Sequence, residues 1–471
     1  MRSNLMKRRG FLKAALAAGA FPFIPGCATG NGSCGDKVRL ACIGIGCQGW
    51  NDIQEFAKTN NCVFTAFCDT DMFAPHTQPA LKRFPKARLF RDFRKMFDEM
   101  AGKIDAVAVM NPDFSHFPAT MMAMKLGLPV YVEKPLAHTF EECEILMAAE
   151  KAYGVVTQMG NQGHSGDNYY QFEEYTRNGI LDPKNVAKIV THMNNPRRWH
   201  KWNAKKTIPM GEAASMPATL DWDTWLGTAA YREYSKDYVY GEWRCWYELG
   251  CGCLGDWGAH TMDTTHRFFK LGLPEEIKIS NVQGWNKYVF PMQDTLVFKF
   301  PKTAERDAID LEWYEGVNNR PTLPKGYKFL GWNNSIPTAA GSTAKDAQKL
   351  VPGKEIYMKD GTVWQGGSHS SRILRVGAQN EKLPEFQKPT STHWNNFLLA
   401  VMGKEKAHSP FSVSAPLSQV FMLGCITQYL NRDVKFDPVK KQFIGDEEAN
   451  KLLKGFGCNT PRKGWEHFYK I

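Results

Sequence analysis

The sequence predicts an α/β chain in two parts. A parallel sheet wound with helices comes first, and an α+β region on an open, largely antiparallel sheet follows. Three observations carry this. Short apolar runs alternate with longer helical segments from Val38 to Met159, a rhythm that means parallel strands joined by right-handed crossovers. A glycine turn, Gly44-Ile-Gly46-Cys-Gln-Gly49, closes the first of those runs. Beyond residue 185 the strand-like runs follow one another with few helices between them.

In the first part, strands are expected over 38–44, 62–68, 104–110, 130–132 and 155–159. Helices are expected over 49–59, 90–100, 116–126 and 139–153. The last of these opens on Thr139 with Glu142 three residues later, the pattern of a reciprocal helix cap. In the second part, strands are expected over 186–193, 276–285, 294–300, 308–314 and 355–364. Thr295-Leu-Val-Phe-Lys-Phe300 mixes apolar and polar positions, as in a strand with one wet face. Two helical stretches, 393–402 and 415–430, close the chain.

At 471 residues the chain exceeds one ordinary core, and its 43 % hydrophobic and 13 % aromatic content suits packed domains. Lys7-Arg8-Arg9-Gly10-Phe11-Leu12-Lys13 leads into a short apolar run, as in a twin-arginine export signal. That run is too short to span a bilayer. Ile24-Pro25-Gly26-Cys27 reads equally as a lipoprotein site with lipid on Cys27 or as plain cleavage nearby. The expected division is a signal and linker over 1–33, a nucleotide-binding domain over 34–160 and a substrate domain over 161–471. In the last, the helices of 391–431 are expected to pack back on the first domain. An exported, periplasmic location follows from the signal. Five basic and no acidic side chains lie in 1–33, so the formal charge of +11 falls to +6 beyond them. No basic run interleaved with aromatics resembles a nucleic-acid groove.

The glycine turn has its full context. A strand precedes it, a helix follows, and Asp69 ends the next strand twenty residues past Gly49. In this Rossmann-type arrangement Gly44 makes the tight turn, Gly46 admits a pyrophosphate, and Gly49 lets helix and strand pack closely. The helix start offers N–H groups to phosphate. The Asp69 carboxylate suits ribose hydroxyls and repels a 2′-phosphate, so NAD is expected over NADP.

Asn111-Pro112-Asp113 and Glu133-Lys134-Pro135 follow the third and fourth strands, at the carboxyl edge where ligands bind in such sheets. There Lys134, flanked by Glu133, is a candidate proton donor or carbonyl-polarising group, whereas alone it reads as a surface lysine. Asp256 and His260 are four apart and share a helix face. An imidazole beside a carboxylate makes a general base, and a purely structural pair fits the same spacing. The twelve cysteines scatter through core-like runs. Cys251-Gly-Cys253 lacks the second two-cysteine arm of a zinc site, so no metal is expected.

These motifs resemble the glucose–fructose oxidoreductase / inositol dehydrogenase / MocA family, in its exported twin-arginine branch. The resemblance rests on the glycine turn, Cys68-Asp69-Thr-Asp71, Asn111 to His116, Glu133-Lys-Pro135, Asp221-Trp-Asp-Thr-Trp-Leu-Gly227 and Gly255-Asp-Trp-Gly-Ala-His260. It implies hydride transfer between a sugar or polyol carbon and nicotinamide. Lys134 would hold the substrate oxygen, His260 would take the hydroxyl proton, and Asp256 would orient His260. His116 would lie near the nicotinamide or substrate. It also implies a homo-oligomer. Asn194-Asn195-Pro196-Arg197-Arg198-Trp199-His200-Lys201-Trp202 leaves a strand of the second domain. Trp199 and Trp202 suit stacking on a sugar while Arg197, Arg198 and His200 bond it; an exposed basic loop fits equally.

Two enzymatic expectations result. One is a carbohydrate oxidoreductase with a resident, recycled cofactor. The other is an NAD-dependent glycoside hydrolase without net redox change. A sugar-binding protein on an inactive scaffold is a third class, against which the full set of Lys134, Asp256 and His260 argues.

Overall fold

The structure, a computed structural model, describes residues 37–194, 215–328, 352–369, 371–378, 380–387, 390–457 and 461–471. The first sheet joins β1 (Val38–Ile43), β2 (Cys62–Cys68), β3 (Arg88–Phe90), β4 (Ala106–Val109), β5 (Val130–Val132) and β6 (Thr157–Met159). All pairs are parallel, in the order β3-β2-β1-β4-β5-β6. The order reverses between β1 and β4, which opens a crevice at their carboxyl ends. Every residue of β4 and β5 is buried, as a sheet covered on both faces requires.

The helices of this part are α1 (Gln48–Lys58), α2 (Gln78–Arg83), α3 (Phe93–Met100), α4 (His116–Lys125) and α5 (Phe140–Tyr153). Helix α5 carries the expected reciprocal cap of Thr139 and Glu142, and ends on Gly154 at φ 62°. Strand β3 and helix α2 were not expected. Both are shorter than the repeat that a periodicity argument needs.

Helix α6 (Asp167–Arg177) was missed as well. Its buried stripe is Asn168, Gln171, Phe172 and Tyr175, at helical spacing but half polar. Those polar groups have tertiary partners: Gln171 accepts from Ile373 N (2.8 Å) and donates to Ile373 O (3.0 Å).

The second sheet adds β7 (Val186–Met193), β8 (Glu276–Gln283), β9 (Gln293–Phe300), β10 (Ile309–Glu315), β11 (Gly353–Met358), β12 (Val363–Gly367), β13 (Ile373–Arg375), β14 (Val434–Asp437) and β15 (Gln442–Phe443). Their order is β13-β12-β11-β7-β10-β9-β8-β14-β15, and among these pairs only β7–β10 is parallel. Along β9, Leu296, Phe298 and Phe300 are buried while Val297 and Lys299 are half-buried, so the wet face expected over 295–300 is present from Leu296 on, although Thr295 is buried too; β10 alternates in the same way. The single strand expected over 355–364 is a hairpin, β11 and β12. Asp360-Gly361 turns the chain with Gly361 at φ 89°, a turn dipeptide that the apolar pattern had masked.

Helices α7 (Trp222–Leu226), α8 (Gly252–Thr261), α9 (Asp263–Phe268), α10 (His393–Val401), α11 (Phe411–Leu430) and α12 (Glu447–Leu452) complete the chain. Helix α10 lies on the first sheet's helices: Trp394 Nε1 donates to Asp52 Oδ1 (2.9 Å), and Phe397 packs on Phe56 and Tyr131. Helix α11 begins four residues earlier than expected. Its first two N–H groups, of Phe411 and Ser412, each donate to the Glu150 carboxylate of α5 at 2.8 Å. A remote carboxylate thus serves as the helix cap.

Between the second sheet and α11, Asp294 and Glu315 are buried side by side, and Gln428 Nε2 donates to both (2.8 and 3.1 Å). Burial pushes the Asp294 carboxyl up to about 6 and holds Glu315 well above the carboxylate range. The folded state therefore keeps a proton that the unfolded chain releases near pH 4. The stability it contributes is present below that pH and is lost as pH rises through about 6. Urea midpoints for Asp294→Asn should show a shallower decline over this window than the parent protein. Equal slopes would mean the pair does not share a proton.

Candidate active site

The crevice at the switch point is built from the glycine turn between β1 and α1. Gly44 sits at φ 78°, and a Cβ there would come within 2.6 Å of Asn111 N, so only glycine fits. A Cβ on Gly49 would overlap the Gly44 carbonyl oxygen, so α1 packs onto the turn through a missing side chain. Asp69 takes the Ile45 N–H on Oδ2 and the Asp71 N–H on Oδ1, both at 3.1 Å, which aims its carboxylate into the cleft.

Leu220, Trp225, Tyr240, Trp243 and Arg244 roof this cleft from the second part of the chain. Asp221 N donates to Thr70 O (2.8 Å), and Arg462 Nε to Gly227 O (3.1 Å), which ties the roof to the first domain and to the C-terminal segment. A cradle of glycines, a ribose-directed carboxylate and a helix start fit an adenine dinucleotide.

At the far end of the cleft lies the polar cluster. Lys134 Nζ donates to Asp256 Oδ1 (2.7 Å) and to Asp256 O (3.1 Å), and both side chains are about nine-tenths buried. Arg244, which lines the cleft, brings Nε to 3.7 Å from the same Oδ1. Asp113 is buried nearby. Burial pushes its carboxyl up to about 7, against the pull of Arg244 and Lys134. Two cations and two carboxylates therefore meet where the cleft ends.

Helix α8 carries both Asp256 and His260, as the spacing predicts. The His260 ring stacks on that of His369, with centroids 3.7 Å apart at 17°, and the Trp257 ring meets both edge-on. His369 N donates to His260 O (3.0 Å), and the His369 ring nitrogen Nδ1 lies 2.8 Å from Ser368 Oγ. Burial, with the Lys134 charge, pushes the His369 imidazole down to about 4. It stays neutral beside His260.

Behind this pair is a second buried group. His164 Nδ1 lies 2.9 Å from both Asp263 oxygens, and Lys354 Nζ reaches Thr264 Oγ1 (2.8 Å) and Asn168 Oδ1 (3.2 Å). Burial pushes Lys354 down to about 8.

Other expected site residues take different places. His116 is buried, with its ring nitrogens 2.9 Å from Pro135 O and 2.8 Å from Asn111 O. It braces the two loops that carry Asn111 and Lys134, not the cleft wall. Glu133 is buried between Tyr131 and Gly160, its Oε2 accepting from Lys134 N (3.3 Å), and burial raises its carboxyl. Asn111 does line the cleft. Arg197, Arg198, Trp199, His200, Trp202 and Cys27 lie outside the described residues. Among the described residues no group of three or more side chains is placed to hold a metal.

His369, Arg244, His164 and Lys354 were missed. Arg244 and His164 sit in single 3-10 turns, Lys354 in a strand and His369 in a loop, none of them at a spacing that a sequence pattern marks.

Gly250 links the cysteine run to the cleft. A Cβ there would come within 2.6 Å of Arg244 Cα and 2.8 Å of its carbonyl oxygen. Gly250→Ala should therefore displace Arg244 and cost about 1–3 kcal/mol, read as a lower melting temperature. An unchanged melt would show that the backbone yields.

Two family models match the chain. Residues 38–161 match the Gfo/Idh/MocA oxidoreductase family's NAD-binding Rossmann fold, and residues 176–289 match its C-terminal alpha/beta domain. Together they cover about half of the chain. The chain belongs to the Gfo/Idh/MocA family. Gly44 to Lys134 fall in the first matched span and Asp256 and His260 in the second, while Lys354 and His369 lie beyond both.

Curated relatives match over less than half of their own length. A glycosyl hydrolase family 109 protein of Stenotrophomonas maltophilia is 30 % identical over 146 residues, 29 % of this chain and 31 % of that protein. Glycosyl hydrolase family 109 protein 2 of Shewanella sp. (strain ANA-3) is 27 % identical over 158 residues, 29 % and 35 % of the two chains. The scyllo-inositol 2-dehydrogenase (NADP(+)) of Bacillus subtilis is 22 % identical over 176 residues, 37 % and 48 %. The match thus spans a third to a half of these relatives.

Solved structures of other oxidoreductases and dehydrogenases share the fold over most of the chain. The WlbA dehydrogenase from Bordetella pertussis, in complex with NADH and UDP-GlcNAcA, aligns over 85 % of this chain and 99 % of its own, with TM-score 0.54 at 12 % identity. The aldose-aldose oxidoreductase from Caulobacter crescentus, complexed with glycerol, aligns over 85 % and 100 %, with TM-score 0.52 at 14 % identity.

Proposed function

We propose that the protein is an NAD-dependent oxidoreductase acting on a hydroxyl carbon of a sugar or polyol, with the dinucleotide retained between turnovers. The observation that carries this reading is the Lys134–Asp256 pair, buried at the end of a roofed dinucleotide cleft with His260 one helical turn away. When bound there, the nicotinamide accepts or returns a hydride. The chain's residues do the rest. Lys134 hydrogen-bonds the substrate oxygen, Asp256 fixes the Lys134 ammonium, and His260 takes or returns the hydroxyl proton. His369 holds the His260 ring against one face. The roof keeps water from the reacting carbon. Asp69, with its charge at the ribose end, supports NAD over NADP. Export through the twin-arginine route, periplasmic placement with or without lipid on Cys27, and a homo-oligomer belong to the same proposal.

The likeness to family 109 glycosyl hydrolases favours a second reading. There the hydroxyl two carbons from the anomeric centre would be oxidised, the carbon between them, acidified by the new carbonyl, would lose its proton, and the aglycone would leave from the anomeric carbon. Water and a proton would then add back across the double bond, and the carbonyl would be reduced again. The cofactor ends as it began, which suits a compartment without a nicotinamide pool.

One experiment tests both. The protein is purified without added cofactor and denatured, and released nucleotide is identified by mass spectrometry. Near-stoichiometric NAD or NADH is expected. Turnover of aryl glycosides and free sugars in D2O then separates the readings. Aglycone release with deuterium on the carbon next to the anomeric centre marks the hydrolase, and an oxidised or reduced sugar marks the oxidoreductase. No resident nucleotide and no binding of added NAD or NADP would end both.

A further inference from the structure

The loop after β2 places one side chain that neither the motifs nor the mechanism uses. His76 lines the dinucleotide cleft and is about three-quarters buried. A Cβ on Gly46 would overlap the His76 ring carbon Cδ2 and come within 2.9 Å of Cγ. In a turn of this kind the second glycine is where the pyrophosphate approaches the backbone. Here that direction leads straight to an imidazole.

The loop is built to keep His76 there. Thr77 Oγ1 donates to Met72 O (2.7 Å) and Ala74 O (2.9 Å), and the neighbouring Thr77 N–H is held by Ala74 O (3.2 Å). His76 Nε2 lies 3.5 Å from Asp69 Oδ1, and its ring meets the Tyr240 ring of the roof edge-on at 5.9 Å. Tyr240 Oη in turn reaches Asp71 Oδ2 at 3.5 Å.

The charges around the diphosphate are otherwise unhelpful to an anion. The segment from Gly44 to Asn51 contains no lysine or arginine, and α1 has no acidic or basic residue in its first turn to tune it. Of the arginines lining the cleft, Arg244 is engaged at the far end with Asp256 and stacked on Trp243, which leaves Arg91.

We propose that His76 is a cofactor-binding residue that takes up a proton as the diphosphate docks, bridging Asp69 and the phosphates, so that dinucleotide retention weakens as pH rises. The inference rests on the dinucleotide occupying this cleft. The groups facing His76 are Asp69 and Asp71 from its own loop, Tyr240 from the roof, and the uncharged Gly46-Cys47-Gln48 backbone of the turn. Burial works against the imidazolium, but the two aspartates outweigh it and raise the group above its ordinary value. A docked diphosphate adds further negative charge and raises it again. Free protein is thus partly deprotonated where the complex is protonated.

The test is calorimetric titration of nucleotide-stripped full-length protein with NAD, ADP-ribose and adenosine, from pH 5.5 to 8.5 in buffers of different ionisation heat. A one-unit rise on docking gives about a tenfold weaker Kd on the alkaline side, with matching proton uptake. NAD and ADP-ribose should show this; adenosine, without a diphosphate, should not. His76→Asn should bind NAD about tenfold more weakly at pH 6 and lose the slope, with its melting temperature unchanged. His76→Gln, which keeps a neutral donor, should flatten the slope in the same way. An unaltered slope in both variants, or a slope without proton uptake, would overturn the role of His76 while leaving the cleft as the cofactor site. Failure of all three ligands to bind would overturn the site itself.

Discussion

Lys134→Met should reduce turnover by about a thousandfold, the scale of a lost proton-transfer or substrate-oxygen contact, while NAD still binds. The lysine lies beyond the glycine cradle, with its ammonium on Asp256 at 2.7 Å, so its loss does not touch the turn that grips the nucleotide. Turnover is read with the substrate found by the D2O screen, and nucleotide affinity by quenching of tryptophan fluorescence. Undiminished turnover would remove Lys134 from the chemistry. A parallel loss of NAD affinity would make it a cofactor ligand instead.

Asp256→Ala is expected to cost about 3–5 kcal/mol of stability, because it strips the nearest carboxylate from a buried ammonium. The Lys134 and Asp256 side chains are 10 % and 7 % exposed, so water cannot take over that solvation. The same reasoning gives a sharper result for the pair. Lys134→Met combined with Asp256→Leu removes both charges, and the melting temperature should recover most of what either single change loses. Activity should not recover. Recovered stability with no turnover separates the structural duty of the ion pair from its chemical one. If the double variant is as unstable as the sum of the singles, the two side chains are not coupled in the fold.

Much of the site was legible because the chemistry needs residue types at fixed spacings. Gly44 takes a positive φ and Gly49 packs on the Gly44 carbonyl, so the turn itself calls for these two glycines, and Asp69 ends the adjacent strand beside it. The four-residue interval between Asp256 and His260 is a helical spacing, and helix α8 realises it. His116 shows where this reasoning stops. A histidine at the sheet's carboxyl edge suggested a ligand contact, but its ring nitrogens instead lie against the carbonyl oxygens of Pro135 and Asn111. Nothing local distinguishes a histidine that meets a ligand from one that braces two loops.

The second region shows the same limit at the level of elements. Helix α6 hid because two of the four residues on its buried stripe are polar, and their partners, Ile373, Thr264 and Lys354, lie 90 or more residues away. Helix α11 starts at Phe411 because a glutamate some 260 residues earlier caps it.

By itself the sequence determined the parallel sheet, the glycine turn with its acidic partner, the Lys134 motif and the Asp256–His260 helix. Each is written in contacts between residues close in the chain, or in the alternation that a buried strand requires. Only the tertiary structure decided that Lys134 meets Asp256, that His260 stacks on His369, and that His76 covers the second glycine. Those contacts join residues 109 to 122 positions apart in the first two cases and 30 in the third. Their energies come from burial and from exclusion of water, which no short stretch of sequence can impose on its own.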